Sequence, residues 1–324
     1  MEQEIVARAN IPFYAISAGA LKGRGPLAAL GSVARLLRGI WQARWVIKEF
    51  APDVILGTGG YVSVPLILAA WMAGCPSLIY LPDMEPGLAV KFLSRLATKV
   101  AVSFERVGDY FAPHKVVVSG YPVRRELYRL TREEARQALG LPSDQVVLLV
   151  LGGSRGAHSI NMAVRDALEP LLQMAHVLHI TGTVDYDSLV ARRDLLLPEW
   201  RARYPLWPYL HEQMTAALVA ADLAVARAGA ATLGEFPAVG LPAILVPYPY
   251  AGQHQQLNAE FLAAKGGAVI IRDADLRQEL LPAVRHLLGD SERLRAMRAA
   301  MTALARPQAA EVIARQLIAL AREH

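Results

Sequence analysis

Val146-Val-Leu-Leu-Val-Leu-Gly-Gly-Ser-Arg-Gly156 is the stretch that decides the fold class. Six apolar residues without a charge read as a strand buried on both faces. The glycines read as a tight turn, and Ile160–Met174 behind them as a helix. The same order recurs more weakly at Val54-Ile-Leu-Gly-Thr-Gly-Gly60, ahead of a helix over Val62–Ala73. Working outward, short apolar runs predict further strands at Asp53–Leu56, Ser77–Leu81, Lys99–Ser103, Lys115–Ser119, Val177–Ile180, Leu223–Ala226, Ala243–Val246 and Ala268–Ile271. Helical patterns fall between them at Leu88–Leu96, Met214–Ala220, Thr232–Val239 and Asn258–Ala264, and Ser291–His324 is helical apart from a break at Pro307. Such alternation predicts an α/β protein with parallel sheets covered by helices. Thr131-Arg-Glu-Glu134 is a capping-box helix start, and the helix ends at Gly140. Two strand–glycine–helix units, one in each half, predict twin Rossmann-like domains whose strand ends face a cleft.

The 324 residues are 54% hydrophobic and 19% charged, which excludes a disordered chain. One cysteine, Cys75, excludes a disulfide scaffold or a multi-cysteine metal site and makes a reducing cytosol the expected compartment. The net charge of +5 is too mild to suggest a nucleic-acid partner, and its location says more. Lys22, Arg24, Arg35, Arg38, Arg44 and Lys48 stand against Glu49 alone, so one segment, Leu21–Phe50, holds the whole excess. It also carries Leu27, Leu30, Leu36, Leu37, Ile40, Trp41 and Trp45. Either this helix packs its apolar face on the sheet with its arginines in water, or it lies on an anionic membrane, and the two are compatible. Val54–Pro82 is uncharged but interrupted by Gly57, Gly59, Gly60, Pro65, Gly74 and Pro76, so it does not span a bilayer. No segment reads as a signal peptide.

Glycine at a strand–helix turn lets backbone approach a ligand, and the helix start presents free N–H groups, which is chemistry suited to a diphosphate. No Gly-Lys-Ser/Thr follows, so neither loop is a P-loop. The richest segment is Val225-Ala-Arg-Ala-Gly-Ala-Ala-Thr-Leu-Gly-Glu235, where a carboxylate in the first helical turn suits the two hydroxyls of a ribose. Some 20 residues on, His254-Gln-Gln-Leu-Asn258 gathers polar groups able to donate to and accept from sugar hydroxyls. Asp273-Ala-Asp275 has the spacing of a metal-binding pair but reads as a helix cap. The eight histidines lack metal-ligand spacing, and His176 and His179 read as structural.

Together these pieces resemble the MurG family of GT-B glycosyltransferases. The resemblance is carried by Pro52-Asp-Val-Ile-Leu-Gly-Thr-Gly-Gly-Tyr-Val62, Gly120-Tyr-Pro-Val-Arg124, Leu151-Gly-Gly-Ser-Arg-Gly-Ala157, Arg227-Ala-Gly-Ala-Ala-Thr-Leu-Gly-Glu235 and His254-Gln-Gln-Leu-Asn258, with Pro205–Met214 like the loop bordering the base. It implies transfer of GlcNAc from UDP-GlcNAc, with inversion, to undecaprenyl-diphosphate-MurNAc-pentapeptide at the cytoplasmic face of the membrane, without a metal or cofactor. By the same resemblance Leu210 meets uracil, and Ala230, Ala231, Thr232, Leu233, Gly234 and Glu235 line the diphosphate and ribose. Gln255 and Asn258 face the GlcNAc hydroxyls, and Arg124 and Ser154 also touch the donor. The acceptor diphosphate falls to Gly57, Thr58, Gly59, Gly60 and Tyr61. On the membrane reading of the basic helix, Arg35, Arg38, Trp41, Arg44 and Trp45 are the residues expected to face the lipid. The implied division is an acceptor-side domain over 1–123, joined by a returning helix at 307–324, and a donor domain over 124–306.

Two departures from the family pattern bear on activity. The glycine loop Gly-Gly-Thr-Gly-Gly-His, whose histidine the family is held to use in catalysis, is not found in this sequence. Little transfer by the chain as written is the corresponding expectation. The second is Leu81-Pro-Asp-Met-Glu85 in place of the family's His-Glu-Gln-Asn, where Asp83 is either a substitute base or a helix N-cap. Two other classes fit the same residues: a nucleotide-sugar-binding protein without independent activity, and another GT-B enzyme such as a nucleotide-sugar epimerase.

Overall fold

The computed structural model describes residues 6, 10–18, 26–153, 156–250 and 254–323, with residues 26–30 as backbone alone. The chain divides into two compact units, one formed by Met1–Leu81, Pro86–Ser119 and Glu311–His324, the other by Pro82–Glu85 and Gly120–Ala310.

In the first unit, β1 (Ile55–Gly57), β2 (Ser77–Leu81), β3 (Lys99–Val102) and β4 (Val116–Val118) form a parallel sheet in sequential order. The final helix, Ala309–Glu323, lays Ile313, Leu317 and Leu320 on Leu78, Tyr80 and Ala101 of that sheet and on Val54 just before it. The basic segment forms the helix Pro26–Phe50, which lies against the helix Ser63–Met72. The contact face differs from the expected apolar one. Between 31 and 50 the helix buries Ser32, Gly39, Ala43 and Ile47, a narrow stripe of mostly small residues. Small size is required there, because a Cβ on Gly39 would lie 1.9 Å from the Ser17 carbonyl oxygen. The bulky residues stay outside: Leu37, Trp41 and Trp45 are 62%, 71% and 53% exposed.

The second unit holds β5 (Val147–Leu151), β6 (His176–Ile180), β7 (Leu206–Trp207), β8 (Leu223–Ala226), β9 (Ala243–Leu245) and β10 (Ala268–Ile270). All pairings are parallel, in the order β10-β9-β8-β5-β6-β7. From β5 the chain winds outward through β6 and β7, then returns to the other side at β8. That reversal makes the carboxyl ends of β5 and β8 a topological switch point, where open α/β sheets bind ligands. Asp222 fixes both strands at their start, accepting from the Val147 amide at 2.9 Å and pairing with Arg136 at 2.9 Å and with Arg132. The capping box forms as read, with the Glu134 amide donating to Thr131 Oγ1 and Glu134 accepting from the Thr131 amide.

Every strand expected from the sequence is present, within a residue or two at its ends. β7 was not expected: two residues between Pro205 and Pro208 are too short to show a pattern. The expected helix 160–174 is two helices, His158–Asp166 and Leu168–Met174. Pro170 has no N–H to give and its ring excludes the carbonyl four residues back, so the chain breaks at Ala167.

Candidate functional site

The site is built at the carboxyl ends of β5, β8 and β9, three adjacent strands of the second unit. After β5, a Cβ on Gly152 would lie 2.2 Å from the Ala157 amide nitrogen, and one on Gly156 (φ +76) 2.2 Å from the Thr181 carbonyl oxygen. Only glycine permits this loop. Ser154, expected to touch the donor, lies outside the described residues. A Cβ on Gly153 here, or on Gly229 of the neighbouring loop, would meet nothing within 4 Å, so both loops border open space.

The loop after β8 is anchored by Arg227, whose guanidinium donates to the Val246 carbonyl at 3.1 Å and Ser159 Oγ at 2.8 Å and pairs with Asp273. For Asp273 this corrects the reading of Asp273-Ala-Asp275 as a cap, while Asp275 keeps the N-cap position. Asp273 serves Arg227 and Ser159, and Asp275 makes no side-chain cap bond, its carboxylate taken by Arg272 at 2.6 Å. Among the described residues no cluster of His, Cys, Asp or Glu is arranged to hold a metal.

Ala230 and Ala231 lead into the helix Thr232–Val239. Thr232 and Leu233 turn inward at 6% and 1% exposure, and Thr232 Oγ1 donates to the Gly229 carbonyl at 2.7 Å. The loop therefore offers its backbone rather than its side chains: among the described residues the Ala230 and Ala231 amides have no backbone acceptor. Gly234 is fixed by packing, since a Cβ there would lie 2.3 Å from the ring of Tyr121. Tyr121 belongs to the Gly120–Arg124 motif, and reading that motif without a tertiary partner missed this role.

Glu235 follows, half-buried, and no described residue donates a hydrogen bond to its carboxylate. Burial pushes its pKa up, and the exposed Arg124 guanidinium acts in the opposite direction. The Tyr121 hydroxyl is pushed up to about 12 by burial and by the Glu235 and Asp83 carboxylates. Glu235 is thus a carboxylate held in partly desolvated surroundings, and no described residue claims either of its oxygens.

The helix His254–Ala264 begins four residues before the expected start. Gln255 accepts from the Tyr248 amide at 3.0 Å, and its Nε2 donates to no described residue. Asn258 departs from expectation. It is fully buried, with Nδ2 on the Ala228 carbonyl at 3.1 Å and on Asp83 Oδ1 at 2.9 Å, and its oxygen accepting from the Met84 amide at 3.0 Å. An amide with both donor hydrogens engaged binds its neighbours, not a sugar. Asp83 is not a helix cap either, because the next helix starts at Leu88 with Gly87 in the N-cap position. Leu210 is 4% exposed, so its side chain is almost wholly enclosed.

In the first unit, the loop after β1 turns through Gly59 (φ +84) and Gly60 (φ +74), with Ser63 Oγ donating to the Gly59 carbonyl at 2.5 Å. Thr58, Gly60 and Tyr61 are exposed, whereas Gly57 is buried where a Cβ would press on Ile67 at 3.1 Å.

Comparison with known proteins places this geometry. The chain matches the glycosyltransferase family 28 N-terminal domain over residues 1–102 and the family 28 C-terminal domain over residues 147–314. It is 42% identical to the UDP-N-acetylglucosamine--N-acetylmuramyl-(pentapeptide) pyrophosphoryl-undecaprenol N-acetylglucosamine transferase of Roseiflexus sp. (strain RS-1), covering 97% of this chain and 80% of that protein. The protein of the same name from Desulforudis audaxviator is also 42% identical, over 97% of this chain and 86% of its own. Among solved structures, Acinetobacter baumannii MurG superposes with a TM-score of 0.75 at 29% identity, covering 98% of this chain and 88% of its own. A Neisseria meningitidis UDP-GlcNAc 2-epimerase, at 13% identity and a TM-score of 0.68, shares the fold alone. Two Rossmann-like units with this degree of likeness make the fold GT-B and the chain a hexosyltransferase: it belongs to glycosyltransferase family 28, and within it to the MurG family.

Proposed function

We propose that this chain moves GlcNAc from UDP-GlcNAc, with inversion at the anomeric carbon, to the muramyl sugar of undecaprenyl-diphosphate-MurNAc-pentapeptide. One observation carries the donor half of this reading. The backbone loops after β5 and β8 lie side by side at the switch point, with the unclaimed carboxylate of Glu235 in the first turn beyond. The diphosphate rests on the loop amides and the start of the helix Thr232–Val239, and Glu235 takes the ribose hydroxyls. Gln255 offers its free amide to the sugar, and Arg124 lies toward the donor's negative charge. As the UDP leaves, fixed N–H dipoles stabilise the charge that develops on its phosphate.

The acceptor diphosphate is assigned to the exposed turn Thr58–Tyr61 of the first unit. The setting we infer from the lipid-linked acceptor is the cytoplasmic face of the membrane; among the described residues no helix is long and apolar enough to cross it. The exposed aromatic and basic helix Pro26–Phe50 supports contact with anionic lipid.

The test is transfer of radiolabelled GlcNAc from UDP-GlcNAc to lipid-linked muramyl-pentapeptide in detergent, alongside calorimetry with UDP-GlcNAc. Donor binding with label appearing in the lipid extract is the expected result, and it would overturn the expectation of little transfer drawn from the sequence. Donor binding without transfer would leave a nucleotide-sugar-binding protein.

A further inference from the structure

Given a UDP-sugar held at the β5–β8 edge, as proposed above, we propose that Asp83 is a catalytic residue of the transfer, the base that accepts the proton of the attacking acceptor hydroxyl.

Asp83 follows β2 in sequence, yet Pro82–Glu85 belongs to the second, donor-binding unit. What holds it there is Asn258. That amide is fully buried, and its orientation is fixed by chemistry: Met84 offers it an N–H, so the side-chain oxygen must face Met84 and the NH2 must face Asp83 and Ala228. Breaking this fork would strand a buried amide, so the position of the carboxylate is set rather than incidental.

The same fork relates Asp83 to the rest of the site. Ala228 opens the loop that precedes the diphosphate-facing amides. Gln255 lies three residues before Asn258 in one helix, hence on the same face. Asp83 is therefore tied to both the diphosphate loop and the sugar-facing side of the donor helix. Only its Oδ1 is used: no described residue donates to the second oxygen, and the residue is half-buried. Beside it the Tyr121 hydroxyl, pushed up to about 12, remains protonated at neutral pH and is not itself a base.

The step balances. The acceptor hydroxyl oxygen forms a bond to the anomeric carbon while its proton passes to the free Asp83 oxygen. The bond from that carbon to the phosphate oxygen breaks, and its electron pair leaves with UDP. The neutral carboxyl then returns its proton to water.

The experiment uses the full chain with Asp83→Asn and Asp83→Ala, measuring UDP-GlcNAc affinity by calorimetry and kcat with the lipid-linked acceptor. Asp83→Asn keeps an oxygen for the Asn258 amide and so keeps the fold. The expected result is unchanged donor affinity with kcat down ~10²–10⁴-fold in both variants. Added formate restores turnover to Asp83→Ala alone, because only that variant has room for a small carboxylate. Weakened donor affinity with kcat retained would make Asp83 a sugar-hydroxyl acceptor and overturn the proposal. So would wild-type kcat in Asp83→Asn, or a loss in Asp83→Ala that formate does not reverse. A wild-type chain that fails to bind UDP-GlcNAc counts instead against the donor reading itself.

Discussion

On the proposed donor reading, Glu235 is the side chain that takes the ribose hydroxyls. Its helix places it in the first turn, where the helix dipole favours negative charge, while burial opposes ionisation and raises its pKa. Two hydroxyl donors would relieve that desolvation. The bound state thus prefers the ionised carboxylate, so binding releases a proton whenever Glu235 starts out protonated. UDP-GlcNAc affinity is then full above the raised pKa of the free protein and falls as pH drops through it, at a higher pH than an ordinary glutamate would require. Glu235→Gln should bind more weakly by roughly 1–3 kcal/mol and lose that pH dependence. Calorimetry at several pH values checks both, and an equally steep profile in the variant would remove Glu235 from the ribose. Gly234, next to it, explains why the spacing is strict. With the Tyr121 ring against its Cα, even a methyl group displaces the turn that carries Glu235.

At the scale of elements, β6 shows what a sequence pattern conveys and what it hides. Its run of apolar residues makes the strand legible, but the arrangement around His179 is not. His179 Nε2 faces Asn161 Oδ1 at 2.9 Å, and the Asn161 amide already donates to the Thr181 carbonyl and to Asp185. Nε2 must therefore carry the hydrogen, leaving Nδ1 to accept from the Tyr204 hydroxyl at 2.8 Å. Burial holds this imidazole neutral down to about 3. A histidine pKa lowered on folding contributes stability that is present above its unfolded value, ~6.5, and is lost as pH falls from there toward the folded value. The thermal midpoint should drop between pH 6 and pH 4, and His179→Gln should flatten that drop while lowering stability at pH 7. A midpoint curve parallel to wild type would assign the acid sensitivity elsewhere. The same contrast runs through the site. The loops after β5 and β8 were legible because glycine and small residues cluster locally. The Asn258–Asp83 bond joins residues 175 apart, the Arg227–Asp273 pair joins residues 46 apart, and Leu210 is enclosed by tertiary packing, so no local pattern announces them.

At the scale of the whole molecule the decisive property is where charge and exposed apolar surface coincide. The chain carries +5 overall, and the segment Leu21–Phe50 accounts for all of it. Val33, Leu37, Trp41 and Trp45 recur every four residues along the helix Pro26–Phe50 and stay exposed, with Trp45 edge-on to Tyr14 at 6.5 Å and Ile11 and Phe13 also outside. A helix that packs through Ser32, Gly39, Ala43 and Ile47 while presenting tryptophans outward is organised for contact on its outer face. Arg35, Arg38, Arg44 and Lys48 are exposed on the same helix, which fits an anionic lipid surface where indole rings settle among headgroups. Each cation near such a surface contributes ~1 kcal/mol, and the contribution is screened over ~10 Å at 0.1 M salt. Reversing Arg35, Arg38 and Arg44 to Glu should therefore abolish co-sedimentation with phosphatidylglycerol vesicles at low salt and leave UDP-GlcNAc affinity unchanged, because the donor loops lie in the other unit. Trp41→Ala with Trp45→Ala should weaken sedimentation without removing its salt dependence. If the charge-reversed protein still sediments as wild type does, lipid is not what this helix meets.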